Sequence, residues 1–139
     1  MRGHRQVPHT ADVRIEAWAP TRQECLAEAV VGFVESFVDL SESPPERADR
    51  TRCIDLGEEA DEDVLVAVLN EVIYLMETVG EIPVSADAER AGAHVRVWLH
   101  VVPVDWVEVT GAVPKAVSLH ELSFAPDARG WACQVTIDV

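Results

Sequence analysis

At 139 residues the chain is one domain of about the usual ~150-residue size, with no room for a second. Its composition, 48% hydrophobic and 26% charged with 7 Gly and 8 Pro, excludes collagen-like, low-complexity and wholly disordered chains. At this size a packed core forms without disulfides or a structural metal. Eleven basic against 25 acidic residues give a net charge of −14, and Lys115 is the only lysine. Direct nucleic-acid binding, which needs clustered cations to neutralise phosphates, is therefore not expected.

Cys25, Cys53 and Cys133 are odd in number, far apart and form no CxxC pair, so they read as reduced core residues rather than a disulfide framework or a zinc site. The short polar stretch 1–8 has no apolar signal core, and no window reaches the ~18 apolar residues a membrane span needs. A cytoplasmic location without membrane contact is expected.

The first regular element is a strand over residues 13–18, where Val13, Ile15 and Ala17 alternate with Arg14, Glu16 and Trp18. Thr21 followed by Glu24 forms a capping box that opens a helix over about 22–38. Its stripe of Leu26, Ala29, Val30, Phe33 and Phe37 faces the core, with Arg22, Glu28 and Glu35 toward water. Residues 39–50, with Pro44-Pro45, read as a surface loop, followed by a short strand at 52–56. The acids of 57–63 suit the start of a second helix, where the macrodipole favours negative charge. They do not fit a calcium-binding EF-hand loop, because Gly57 precedes the acids instead of lying among them.

Between Val64 and Met76 only Asn70 and Glu71 are strongly polar, so this helix is expected at the centre of the core, covered on more than one side. Gly80 and Pro83 end it. The rest reads as strands at 84–89, 94–102 and 106–111, with a turn at Gly92, then a polar segment at 115–121. A last strand spans 131–139, with Trp131, Cys133, Val135, Ile137 and Val139 on one face and Asp138 on the other. His94 and His100 fall on the outer face of theirs. The expected class is α+β, with two helices packed as one layer on a largely antiparallel or mixed sheet.

Signatures of phosphate loops, GxSxG hydrolases, HExxH metalloproteases and dinucleotide folds are absent from the sequence. Three polar clusters remain: residues 9–12, residues 115–121, and Asp138-Val139. Pairing of the first and last strands would bring the carboxylates of Asp12 and Asp138 together, with the α-carboxylate of Val139 as a third anion if the natural chain ends there. Their repulsion calls for a hard divalent cation or the ammonium of Lys115. A capping Asp12 and a solvated Asp138 are the plainer alternative. His9 and His120 fit ligand or base roles, with hydrogen bonds that orient their loops the plainer reading.

Taken in order, His9-Thr10-Ala11-Asp12-Val13, Leu69-Asn70-Glu71-Val72-Ile73-Tyr74-Leu75, Lys115-Ala116-Val117-Ser118-Leu119-His120 and the closing Asp138-Val139 resemble the archease family along essentially the whole chain. The family pattern has Thr where Ser118 stands, and residues 39–50 are less familiar. The resemblance implies an accessory protein, not itself an enzyme, that activates an RtcB-type RNA ligase. That ligase joins 2′,3′-cyclic phosphate or 3′-phosphate ends of RNA to 5′-hydroxyl ends. The implied role is to promote GTP-dependent guanylylation and multiple turnover in tRNA splicing and RNA repair. It places a divalent metal, Ca2+ first and Mg2+ or Mn2+ as alternatives, on Asp12, Asp138 and Val139. Lys115, His9 and His120 complete the functional cluster. A free-standing metal-dependent hydrolase and a chaperone-like binding module are the competing readings.

Overall fold

The computed structural model describes residues 1–8, 12–41, 50–57 and 60–139. Strands β1 (Gly3–Pro8), β2 (Asp12–Ala19), β9 (Gly130–Asp138) and β8 (Ala116–Asp127) form a four-stranded sheet in the order β1-β2-β9-β8. A second sheet has the order β4 (Arg50–Leu56), β6 (His94–Pro103), β5 (Glu81–Ala91). The short β3 (Val38–Asp39) pairs with β7 (Glu108–Val109). Every pairing among the described residues is antiparallel, and two helices, α1 (Arg22–Glu35) and α2 (Asp61–Tyr74), complete an α+β fold.

The alternation of β2 puts Ile15, Ala17 and Ala19 in the core, and β9 answers with Cys133, Val135 and Ile137. Thr21 Oγ1 accepts the Glu24 amide at 3.2 Å, as the capping box requires, but the Glu24 carboxylate takes the Thr21 hydroxyl instead of reaching the backbone. The helix stops at Glu35, three residues before the expected end. The Ser36 hydroxyl donates to the Phe33 carbonyl at 2.6 Å, competing with the helical ladder, and Val38 and Asp39 turn into β3. Phe37 stays buried, edge-on to Phe33 at 5.8 Å.

The central helix is α1, not α2. It buries Cys25, Leu26, Ala27, Ala29, Val30, Gly32, Phe33 and Val34 and packs against β2 and β9 of one sheet and β5 of the other. On α2 a single stripe is buried (Val64, Leu65, Val68, Leu69, Val72, Ile73), set against β8 and α1, while Tyr74 is exposed. The helix starts are tied by Arg22 and Asp61 at 2.5 Å. A π-helical turn, Leu75–Val79, ends at Gly80 in the left-handed region (φ 77°), which places glycine there.

Other elements depart from the sequence reading. The strand expected at 84–89 begins at Glu81, because Pro83 sits at a register shift where no ladder amide is required of it. The strand expected at 106–111 is reduced to β7, since Val104–Trp106 form a 3-10 turn held by the Val104 amide on the Gly80 carbonyl at 2.8 Å. The segment 115–121 opens the twelve-residue strand β8, and β1 is a strand that composition concealed. Cys25 and Cys133 are buried, but Cys53 is exposed and is not a core residue.

Candidate functional site

The sheet fixes one row of residues at its end. Asp12, the first residue of β2, stands directly opposite Asp138, the last of β9, and Asp138 in turn faces Ala116 of β8. The Lys115 amide donates to the Asp138 carbonyl at 2.7 Å, which sets the sole lysine of the chain next to the pair. Directly opposed residues of an antiparallel pair have Cα atoms about 4.5–5.5 Å apart and send their side chains to the same face. Asp12 and Asp138 therefore share the face away from Ile137, with Asp138 exposed. Two carboxylates so placed repel by about 1 kcal/mol in water and several times that where solvent is restricted.

The other residues singled out from the sequence fall differently. Val139 is half-buried and packs against the core. His120 is on β8 with its side chain 80% exposed and Nε2 3.6 Å from Glu121, beyond a register shift that separates it from the Asp138 row. His9 lies outside the described residues. His94 and His100 are on the outer face of β6 as expected; His100 bonds Thr51 at 3.0 Å and Asp87 at 2.7 Å.

Donor chemistry fits a hard cation in part. Two carboxylates at a strand end, Asp138 exposed and Asp12 half-buried, are oxygen ligands of the type Ca2+, Mg2+ or Mn2+ accept. Among the described residues no three His, Cys, Asp or Glu side chains converge on one point, so the pair would need main-chain, terminal or water oxygens to fill the shell.

One row inward from the carboxylates lie residues that periodicity alone did not mark. Arg14 on β2 faces Thr136 on β9, which faces Ser118 on β8. Arg14 Nη1 is 3.8 Å from Glu121 Oε2, on a stretch of β8 where the register shifts between Ser118 and Ser123. A second cluster lies on α1. Expected in water, Glu28 is instead only 13% exposed, bonded to His4 Nδ1 at 2.5 Å and to Arg2 at 2.8 Å. His4 Nε2 reaches Glu35 at 3.0 Å. The bond to Glu28 raises the His4 pKa above its ordinary value despite burial, and the bond to His4 lowers that of Glu28. Beside Ala17, the Cys25 thiol and burial together push the Cys133 thiol well above its usual range.

The fold and the rim define an acidic α+β protein that carries a carboxylate pair and a lysine at one sheet end. The chain belongs to the archease protein family (MTH1598/TM1083), whose family model matches residues 4–139. It is 52% identical over 137 residues to a probable archease of Mycobacterium tuberculosis, spanning 99% of this chain and 75% of that protein. Over 149 residues it is 28% identical to the archease of Archaeoglobus fulgidus, covering 98% of each. Two solved structures share the fold. Protein 1598 of Methanobacterium thermoautotrophicum has a TM-score of 0.73 at 18% identity, covering 99% of both chains. An archease described as a possible chaperone, from Thermotoga maritima, has a TM-score of 0.64 at 22% identity, covering 96% of this chain and 94% of that one. Among the described residues no helix is long and apolar enough to cross a membrane.

Proposed function

We propose that the protein is a metal-binding activator of an RtcB-type RNA ligase, promoting GTP-dependent guanylylation and multiple turnover in cytoplasmic tRNA splicing and RNA repair. The observation that carries this reading is the register of β2 with β9, which opposes Asp12 to Asp138 beside Lys115 in a chain of the archease family. Asp12 and Asp138 would hold the cation, with an α-carboxylate on Val139 as a further oxygen donor if the natural chain ends there. When bound, a divalent ion supplies concentrated positive charge for phosphate oxygens. The rim carboxylates would fix where that charge sits, and Lys115, whose amide is bonded to the Asp138 carbonyl, would add a second positive charge near it. With a net charge of −14 the protein suits a basic protein surface better than RNA itself.

A free-standing hydrolase would need His9 or His120 as a general base beside the carboxylates; His120 is turned toward Glu121, and His9 lies outside the described residues.

The test is ligase guanylylation with GTP, with and without this protein. Wild type should stimulate, and Asp12→Ala and Asp138→Ala should abolish stimulation and calcium binding while melting within about 2 °C of wild type, since both replace rim residues outside the core. Full stimulation by either variant rejects the proposal.

A further inference from the structure

Along β2 the residues facing away from the core are Asp12, Arg14, Glu16 and Trp18, so Arg14 lies about 6.5 Å along the strand from the rim carboxylate. Glu16 is taken by Arg5. The Arg14 guanidinium instead crosses β9 toward Glu121, and its Nε is buried with no hydrogen-bond partner among the described residues. A buried donor on a permanently charged group is costly to leave so, and it marks a side chain held between two demands.

Glu121 is itself unusual. It is the one described residue other than glycine with a positive φ, 56°. It lies in a bulge of β8, residues 119–122, opposite Val135 of β9. The bulge is pinned from β9 by Gln134 Nε2 on the Glu121 carbonyl at 3.0 Å, and at its start by the His120 amide on Ser118 Oγ at 3.1 Å. It carries Leu119, 73% exposed, and the exposed His120. Arg14 thus ties β2, the strand that begins at the carboxylate row, to this strained, outward-facing segment.

We propose that Arg14 is a positioning residue that couples the Asp12–Asp138 rim to the β8 bulge. With the rim empty of cation, the guanidinium lies 3.8 Å from Glu121, two residues along β2 from Asp12 and on the same face. A dication at the rim repels it toward Glu121 and tightens the bulge. The inference rests on the metal reading for its second half only, since the Arg14–Glu121 tie exists without metal.

The experiment is calorimetric titration with CaCl2 together with amide hydrogen exchange at 119–122, on wild type, R14Q, R14K and E121Q of the full chain. R14Q removes a repelling charge and should bind Ca2+ on the order of fivefold more tightly, whereas R14K, which keeps the charge, should stay within about twofold of wild type. A merely structural role would not tighten binding. Calcium should slow exchange at 119–122 in wild type and leave it unchanged in R14Q and E121Q. Calcium binding by wild type with unaltered affinity and unaltered bulge response in R14Q overturns the coupling. Should wild type bind no calcium, the metal reading fails. The tie is then judged in metal-free protein, where faster exchange at 119–122 in both R14Q and E121Q sustains it and unchanged exchange rejects it.

Discussion

The attachment of β1 to α1 should titrate near neutral pH. His4 lies against Gly32, where an added Cβ would come within 3.0 Å of the ring, and the imidazole spans Glu28 and Glu35, about two turns apart on the helix. Arg2 also grips Glu28 and approaches Glu24 at 3.8 Å. His4 and Glu28 are both largely shielded (22% and 13% exposed), and one charge-assisted bond of this kind contributes about 2 kcal/mol. Glu35 is 44% exposed, so its contact adds little. Because His4 has a folded pKa above its ordinary 6.5, its contribution is complete below 6.5 and disappears as pH rises through the folded value. Glu28 has a folded pKa below its ordinary 4.5, so its contribution is complete above 4.5 and disappears as pH falls through the folded value. Both act fully between those ordinary values. His4→Gln, neutral at every pH, should therefore cost about 2 kcal/mol at pH ~5.5, some 6 °C in melting temperature, and far less at pH ~9. Urea melts of both proteins across that range measure the difference. A cost that is flat with pH, or greater at pH 9, would refute the reasoning.

Two further outcomes follow from close packing. Gly130 has φ 115° and a Cβ there would lie 2.6 Å from the Pro20 carbonyl oxygen and 2.7 Å from that of Ala19, so Gly130→Ala should lose about 3 kcal/mol and melt some 9 °C lower. A drop of under about 2 °C in a thermal melt would contradict the geometry. Of the three thiols, only Cys53 is exposed, so a disulfide reagent should modify one thiol per native chain promptly and all three in denaturant. Prompt reaction of Cys133, whose thiol is held protonated beside Cys25, would show that the core is not closed as described.

Elements with one wet and one dry face were legible in the sequence. In β2 the buried residues alternate, in β6 they do so from Val95 to Val101, and the apolar stripe of α1 recurs every three or four, so period identified these elements; Thr136 of β9 and Cys25, Ala27, Gly32 and Val34 of α1 are buried beyond what period marks. In β8 the exposed and half-buried positions follow no alternation, because it is an edge strand broken by a bulge; only Phe124 is buried. Without β8 there was no way to see that Arg14 meets Glu121. The same loss explains Glu28. On α1 it falls outside the apolar stripe, and only β1, whose Gly-His-Arg-Gln-Val-Pro sequence has no strand pattern, brings His4 and Arg2 over it. The juxtaposition of Asp12 and Asp138 was readable because each sits at a fixed offset from residues whose inward direction the core dictates.

That last point separates the rim from the rest of the molecule. Shifting β2 by one residue against β9 would turn Ile15 and Ala17 outward, so the burial of those side chains opposite Val135 and Cys133 holds the register. The same register sets Asp12 against Asp138, although neither residue is part of the buried cluster. The carboxylates thus inherit their spacing from core residues three and five positions away. A rim positioned in this way should keep the fold when its own side chains are replaced. It is instead sensitive to the volume of Ile15 and Val135, where a larger or smaller residue would alter the distance between the two carboxylates before it unfolded the sheet.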